Sequence, residues 1–380
     1  MDAGGGPRDA GRGRPEPAPG RPIGHGRRRW RALNAVGLVV LGVALTSVSL
    51  GVGLPHLAEP GVRAGDVVGL VSLVVGGGAL LAGTVGVVRA TPGWWRLVVA
   101  PALVVAVLAG GYVLAVPLAA AVPARSPVQR SPAVAADEVI VPTVDGVELA
   151  GWFASARGRA AVVLLPGAGS SRDAVVDHLA VLHDGGYHVL ALDPRGHGAS
   201  TGRGMDWGWY GEADVTAAVD YLTGREDVDA DRIAVVGLSM GGEQAIGAAG
   251  ADERIRGVVA EGVTARTARD LHWLSDVYGW RGAVTEALEH ARTAVADLVS
   301  PAHQPPPLRQ AAAAAAPRPV LLITAGAVPD EQHAAADIQA ASPDNVTVWT
   351  VPGADHVAGL RTDPQAWTAQ VLHYLDDVTG

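Results

Sequence analysis

Cysteine and lysine are both absent from the 380 residues. Without cysteine there is no disulfide, no thiolate metal site and no cysteine nucleophile, and the redox compartment stays open. Without lysine, all 29 basic residues are arginine, the bias of a GC-rich coding sequence rather than of chemistry. No histidine pair has metal-ligand spacing, no internal repeat stands out, and nothing calls for a metal or a cofactor. Ala, Gly and Val are plentiful instead, and the length suffices for a large domain plus an appendage.

Charge divides the chain in two. Residues 1–125 hold 12 Arg against 5 acidic residues (net +7), and residues 126–380 hold 17 Arg against 33 (net −16), within an overall formal charge of −9. Residues 1–31 are rich in Gly, Pro and Arg without apolar periodicity, and read as a disordered tail ending in Arg27-Arg28-Arg29-Trp30-Arg31. Charge is then missing from Ala32 to Ala58, from Val67 to Val88 and from Leu97 to Ala124. Each run reaches the ~20 residues needed to cross a hydrocarbon core, which predicts three transmembrane helices near 33–54, 67–88 and 97–121, within residues 32–121.

Arg89 and Arg96 flank the second loop beside Trp94-Trp95, whereas the first loop carries Glu59, Asp66 and a single Arg63. The arginine bias predicts a cytoplasmic N-terminus and a cytoplasmic 89–96 loop, so that three crossings leave everything after residue 122 outside. A basic tail directly before an apolar run is a topology signal that attracts anionic lipid, not a nucleic-acid arm. Gly78 and Ala82 have the small-xxx-small spacing of close helix packing. Residues 122–136, rich in Pro and Ala, read as a tether to a domain spanning 137–380.

That domain alternates strand and helix. Glu138–Val141 and Val147–Phe153 meet through Asp145-Gly146, a hairpin signal. Apolar runs follow at Ala160–Leu165, Tyr187–Leu192, Arg232–Gly237, Ile255–Glu261, Pro319–Thr324 and Val346–Val351, with helical patterns near 172–184, 212–223, 331–341 and 364–377 between or after them. Such alternation predicts a mostly parallel sheet covered by helices on both faces, with ligands at the carboxyl ends of its strands. Residues 262–316 break the pattern.

One strand ends in Gly237-Leu-Ser239-Met-Gly241, and an Ala-rich helix follows. Strand, sharp turn and helix lift a serine hydroxyl clear of the sheet, and the glycine on either side keeps the turn free of clashes. A plain helix N-cap is the alternative for Ser239. A serine hydroxyl is a weak nucleophile, so it needs an imidazole base, and the imidazole needs a carboxylate to orient it. His356 is the favoured base, in a Gly-flanked loop after the last strand, with His197 as its rival and His303 and His333 as solvated residues. Asp330 is the favoured acid, ahead of Glu331 and Glu261.

The order Ser239, acid, His356 is that of α/β-hydrolases, and residues 137–380 resemble this fold family, in the neighbourhood of the Bem46-like and dienelactone-hydrolase-like serine hydrolases. Leu165-Pro-Gly-Ala-Gly-Ser-Ser171 resembles the family's His-Gly-x-Gly oxyanion loop with Pro166 in place of histidine, and Asp193-Pro-Arg-Gly-His-Gly-Ala-Ser200 resembles a common structural loop. The resemblance implies oxyanion N–H donors at Ala168 and Met240 and a helical cap at about 262–316. Trp273, Tyr278 and Trp280 are the candidate substrate contacts in that cap. The family's Gly-x-x-Asp acid spacing falls on Pro329 here. Together these features lead to the expectation of a membrane-anchored serine hydrolase, acting outside the membrane on a small or lipid-like acyl substrate. Acyl transfer or peptide cleavage by the same triad, and a catalytically silent binding module, are the alternatives.

Overall fold

The computed structural model describes residues 24–57 and 64–380, together with Met1. Among the described residues, four helices precede the sheet: α1 (Gly24–Val48), which continues through a π-helical turn at Ser49–Gly53 into α2 (Leu54–His56), α3 (Ala64–Ala90) and α4 (Arg96–Ala121). Among the described residues, three stretches, Trp30–His56, Gly65–Ala90 and Gly93–Ala121, are long and apolar enough to cross a membrane. Helix α1 begins earlier than the expected tail boundary, so residues 24–31 are helical. The last proline before it is Pro22, and Arg is a good helix former, so nothing local stops the helix. The rest of the expected tail, and Glu59 and Arg63 of the first loop, lie outside the described residues.

Helices α1 and α3 meet backbone to backbone, but not where the sequence spacing suggested. A Cβ added at Gly78 would touch nothing within 4 Å, and Ala82 is exposed. The close approach runs instead through Gly69, Gly76 and Gly83, where a Cβ would lie 2.4 Å from Gly53 Cα, 2.8 Å from the backbone of Thr46 and 2.6 Å from that of Val39. A seven-residue repeat keeps these glycines on one face of the helix, and Gly78 points elsewhere.

Residues 122–136 are fixed to the domain that follows rather than swinging as a tether. Arg125 donates to the carbonyls of Gly198 (2.8 Å) and Ser200 (2.9 Å), and Ser126 accepts from the Gly198 N–H (2.8 Å). The N–H groups of Gln129 and Arg130 donate to the Asp173 carboxylate at 2.8 and 3.1 Å. Val128, Val134 and Ala136 pack against a core cluster. Proline and alanine composition suggested freedom, but the segment's backbone groups find partners on loops distant in sequence.

The sheet has eight strands in the order β1-β2-β4-β3-β5-β6-β7-β8: β1 Asp137–Pro142, β2 Glu148–Ala154, β3 Ala161–Leu165, β4 His188–Leu192, β5 Ile233–Leu238, β6 Ile255–Glu261, β7 Val320–Ala325 and β8 Val346–Val351. The β1–β2 hairpin and the β2–β4 pair are antiparallel, and every other pair is parallel. Every residue of β3, β4 and β5 is buried, as expected of strands covered on both faces. Helices α5 (Val176–Asp184), α6 (Gly211–Thr223), α7 (Met240–Ala251), α11 (Pro329–Ala341), α12 (Gly359–Thr362) and α13 (Pro364–Thr379) follow strands, and two apolar clusters form the core. Strand order reverses at β3, whose neighbours are β4 on one side and β5 on the other. That switch point is where an open α/β sheet leaves a crevice.

The segment expected as a cap contains α8 (Leu274–Tyr278), α9 (Trp280–Val299) and α10 (Leu308–Ala315). Only the first two stand apart. Leu308, Ala311, Ala312 and Ala315 are buried in the main core cluster, so α10 is part of the domain body.

Candidate active site

Ser239 occupies the corner between β5 and α7 with φ 52° and ψ −120°, a region that costs a non-glycine residue about 1–3 kcal/mol. The turn closes so tightly that a Cβ at Gly237 would lie 2.2 Å from the Gly241 backbone, and one at Gly241 would lie 2.5 Å from the Leu165 carbonyl oxygen. The corner is tied to the next strand by the Ser239 N–H, which donates to the Glu261 carbonyl at 2.7 Å. The loop after β3 passes directly over it, since a Cβ at Gly167 would sit 3.4 Å from Ser239 Cβ. Met240 is the first residue of α7, and a first-turn N–H has no acceptor within its own helix.

His356 reaches this corner from the loop after β8. Its Nε2 lies 3.0 Å from Ser239 Oγ, and its Nδ1 lies 2.6 Å from Glu331 Oε1. The expected acid is therefore displaced by one residue: Glu331, not Asp330, meets the histidine. Both belong to the first turn of α11, where successive side chains diverge by about 100°. Glu331 points inward, its side chain fully buried, and its second oxygen accepts the Ala325 N–H at the end of β7 (2.8 Å). Asp330 points to solvent and accepts the Tyr278 hydroxyl at 2.6 Å. The Glu331 hydrogen bond holds the His356 pKa above its ordinary value, against the opposing effect of burial.

Glu261, the third candidate acid, does not touch the histidine. It accepts the Gly359 N–H (2.7 Å) and the Trp367 indole N–H (2.8 Å), bracing the far side of the His356 loop, and burial pushes its pKa up. His197, the rival base, is buried and engaged elsewhere, with Nε2 2.8 Å from Asp206 Oδ1 and Nδ1 accepting the Ser126 N–H at 3.2 Å. The loop that carries it is held by Asp193, which takes hydrogen bonds from the Arg172 backbone and guanidinium and from the Ala199 N–H at 2.8–2.9 Å. Removing that carboxylate would leave the Arg172 charge buried without its deepest partner, at a cost of about 3–5 kcal/mol.

Three site features escaped the sequence reading. Gly262 has φ +73°, and a Cβ there would lie 2.8 Å from Val357 Cγ1 and 3.1 Å from His356 Cε1, so the imidazole passes through space that only glycine leaves. Val357 has φ 47°, one of two non-glycine residues with positive φ among those described. Glu243, in the first turn of α7, accepts the N–H groups of Thr264 and Ala265, both at 3.0 Å, and burial pushes its pKa up to about 7. A glycine after a strand and an acid in a helix carry no local signal for these contacts.

Of the expected substrate-contact aromatics, Trp273 and Tyr278 stay together, with ring centroids 6.4 Å apart, and Trp280 stands apart from them. Trp273 is buried with Leu274 and Ala334, its ring 5.4 Å from that of His333. Tyr278 is bonded to Asp330, and Trp280 is 74% exposed. No group of three or more His, Cys, Asp or Glu side chains able to hold a metal ion occurs among the described residues.

Residues 160–305 match a family profile described as alpha/beta hydrolase fold. An uncharacterized protein of Mycobacterium tuberculosis is 36% identical over 132 residues, covering 33% of this chain and 46% of its own length. A polyketide transferase of Gibberella fujikuroi is 33% identical over 131 residues, covering 33% of this chain and 41% of its own. The chain thus spans about half the length, or less, of the curated relatives it matches. Among solved structures, an esterase of Pyrococcus furiosus superposes with a TM-score of 0.53 at 23% identity, covering 68% of this chain and 98% of that one, a likeness of fold. Sheet order, elbow and sequence profile agree, and the eight-stranded domain has the α/β-hydrolase fold.

Proposed function

We propose that the protein is a membrane-anchored serine hydrolase that cleaves an ester or related acyl substrate through an acyl-enzyme. The observation that carries this reading is the continuous relay from Ser239 Oγ to His356 Nε2 (3.0 Å) and from His356 Nδ1 to Glu331 (2.6 Å), mounted on a strained elbow. Ser239 Oγ attacks the carbonyl carbon while its proton passes to His356 Nε2, and Glu331 stabilises the imidazolium that forms. The N–H groups of Ala168 and Met240 receive the negative oxygen of the tetrahedral intermediate. His356 then returns its proton to the leaving alkoxide, and water, deprotonated by the same ring, releases the acid and restores Ser239. No metal or cofactor enters this cycle. The three apolar helices support membrane anchoring, and the arginine bias supports a catalytic domain outside the cytoplasm.

Acyl transfer is the second reading, favoured by the resemblance of part of the chain to polyketide transferases; an alcohol or amine then replaces water in the second half of the cycle. A fluorophosphonate probe tests the nucleophile. Labelling of the native protein and none of Ser239→Ala is the expected result. Labelling that survives Ser239→Ala refutes the assignment, and no labelling of either favours a silent binding module. Turnover of chromogenic esters of increasing chain length, with and without added alcohol, separates hydrolysis from transfer.

A further inference from the structure

Helix α9 is amphipathic in the wrong sense for a helix that covers a soluble core. Its buried face carries Glu289 and Thr293 besides Gly282 and Ala296. On the opposite side, Trp280, Val284, Ala287, Ala291, Ala294 and Leu298 recur at alternating steps of four and three residues, which lines them up along the helix. All six are exposed, with 74% of Trp280, 52% of Val284 and 85% of Leu298 open. A surface helix of a globular domain turns such a stripe to the core and its polar face to water. Here the arrangement is reversed, and what covers the stripe follows from what lies beside it.

The neighbour is α4. Its Tyr112 hydroxyl donates to Glu289 and accepts from Arg292 Nη1 at 3.2 Å, and the Arg292 guanidinium lies 5.5 Å from the Tyr112 ring. Further along, Ala120 and Ala121 cluster with Ala296 and Ala302. Contacts advance along both helices together, so α9 and α4 run in the same direction. The stretch of α4 involved, Tyr112 to Ala121, is the last ~13 Å of a helix about 39 Å long, longer than a hydrocarbon core of roughly 30 Å. It therefore crosses the boundary between acyl chains and headgroups. Polar groups of the two helices face each other across the seam, where Tyr112 bonds to both Glu289 and Arg292, and the apolar stripe faces away.

We propose that α9 lies against the bilayer beside α4, with its Trp280–Leu298 stripe against lipid, so that the cap of the catalytic domain is itself part of the membrane-contacting surface. The proposal rests on the reading of α4 as a membrane span. It accounts for the inverted amphipathicity and for the paired Tyr112, Glu289 and Arg292 on the protected side. Tyr278, at the turn into α9, is bonded to Asp330, the neighbour of Glu331, so the seated helix adjoins the acid side of the site.

The absence of cysteine makes the test clean. Ala287→Cys, Ala291→Cys, His290→Cys, Asp297→Cys and Val105→Cys in the full chain are each spin-labelled after reconstitution into phosphatidylcholine–phosphatidylglycerol nanodiscs. Fluorophosphonate labelling verifies that each variant is folded. Collisional accessibility to oxygen, which concentrates in lipid, is compared with accessibility to a water-soluble nickel chelate. An oxygen-to-nickel ratio several-fold higher at 287 and 291 than at 290 and 297 is the expected result. Equal ratios at all four positions, with position 105 exposed to lipid, overturn the seating of α9 and leave the spans intact. A water-exposed position 105 overturns the membrane reading and this proposal with it. Dipolar broadening at 287 and 291 would mean that a second copy of the chain covers the stripe, and would also overturn it.

Discussion

Glu331 and Asp330 are adjacent carboxylates with opposite fates. One is fully buried and bonded to both His356 and the end of β7; the other faces solvent and Tyr278. Glu331→Gln is expected to lower kcat/KM for a chromogenic ester by on the order of 10³- to 10⁴-fold, because the amide no longer stabilises the imidazolium and favours the wrong tautomer. Asp330→Asn is expected to stay within about two-fold, since removing an exposed polar contact changes little. Steady-state kinetics on both variants separates the two. The pH profile carries the same information. Because the Glu331 bond raises the His356 pKa and the base works only when neutral, kcat/KM should climb with pH along a limb set above the ordinary histidine value. In Glu331→Gln the residual activity should show that limb displaced to lower pH, as the cation loses its counter-charge.

At the scale of elements, the site is assembled where loops from β3, β5, β6, β7 and β8 converge on one end of the sheet. The elbow was legible because strand, glycines and helix are contiguous in sequence. The His356 loop was legible only as a position after the last strand. Its seat depends on Gly262 after β6, on Glu261 with Trp367 behind it, and on a positive φ at Val357. Gly262→Ala puts a methyl group 3.1 Å from the His356 ring, at a backbone angle alanine resists. We expect kcat/KM to fall by about 10- to 100-fold, as for an ångström-scale misplacement of a catalytic group. Circular dichroism should remain native, and fluorophosphonate labelling should slow in proportion. Native labelling rates in Gly262→Ala would show that the glycine does not position the base.

For the whole molecule, the charge split and the three apolar helices describe a basic, apolar N-terminal region joined to an acidic domain of α/β-hydrolase fold. The join is a packed seam: residues 122–136 are hydrogen-bonded to the catalytic domain, and α4 packs along α9. A domain so fastened has its orientation to the apolar helices set by protein contacts rather than by linker length. For topology, a phosphatase reporter fused after Gly380 should be active and a cytoplasm-dependent fluorescent reporter silent. The reverse pattern would put the catalytic domain on the cytoplasmic side.

Local pattern was enough for the fold class and for the strand–turn–helix corner that carries Ser239, because each depends on residues within a few positions of one another or on the period of apolar runs. The same holds for the three apolar stretches. Tertiary structure alone decided which carboxylate meets His356, since two neighbours in one helical turn differ only in the direction their side chains take relative to a sheet. It also decided that Gly69, Gly76 and Gly83 carry the contact between α1 and α3, that the expected tether is clamped, and that α9 exposes its apolar face. Each of these is a relation between surfaces far apart in the chain, and no local propensity encodes it.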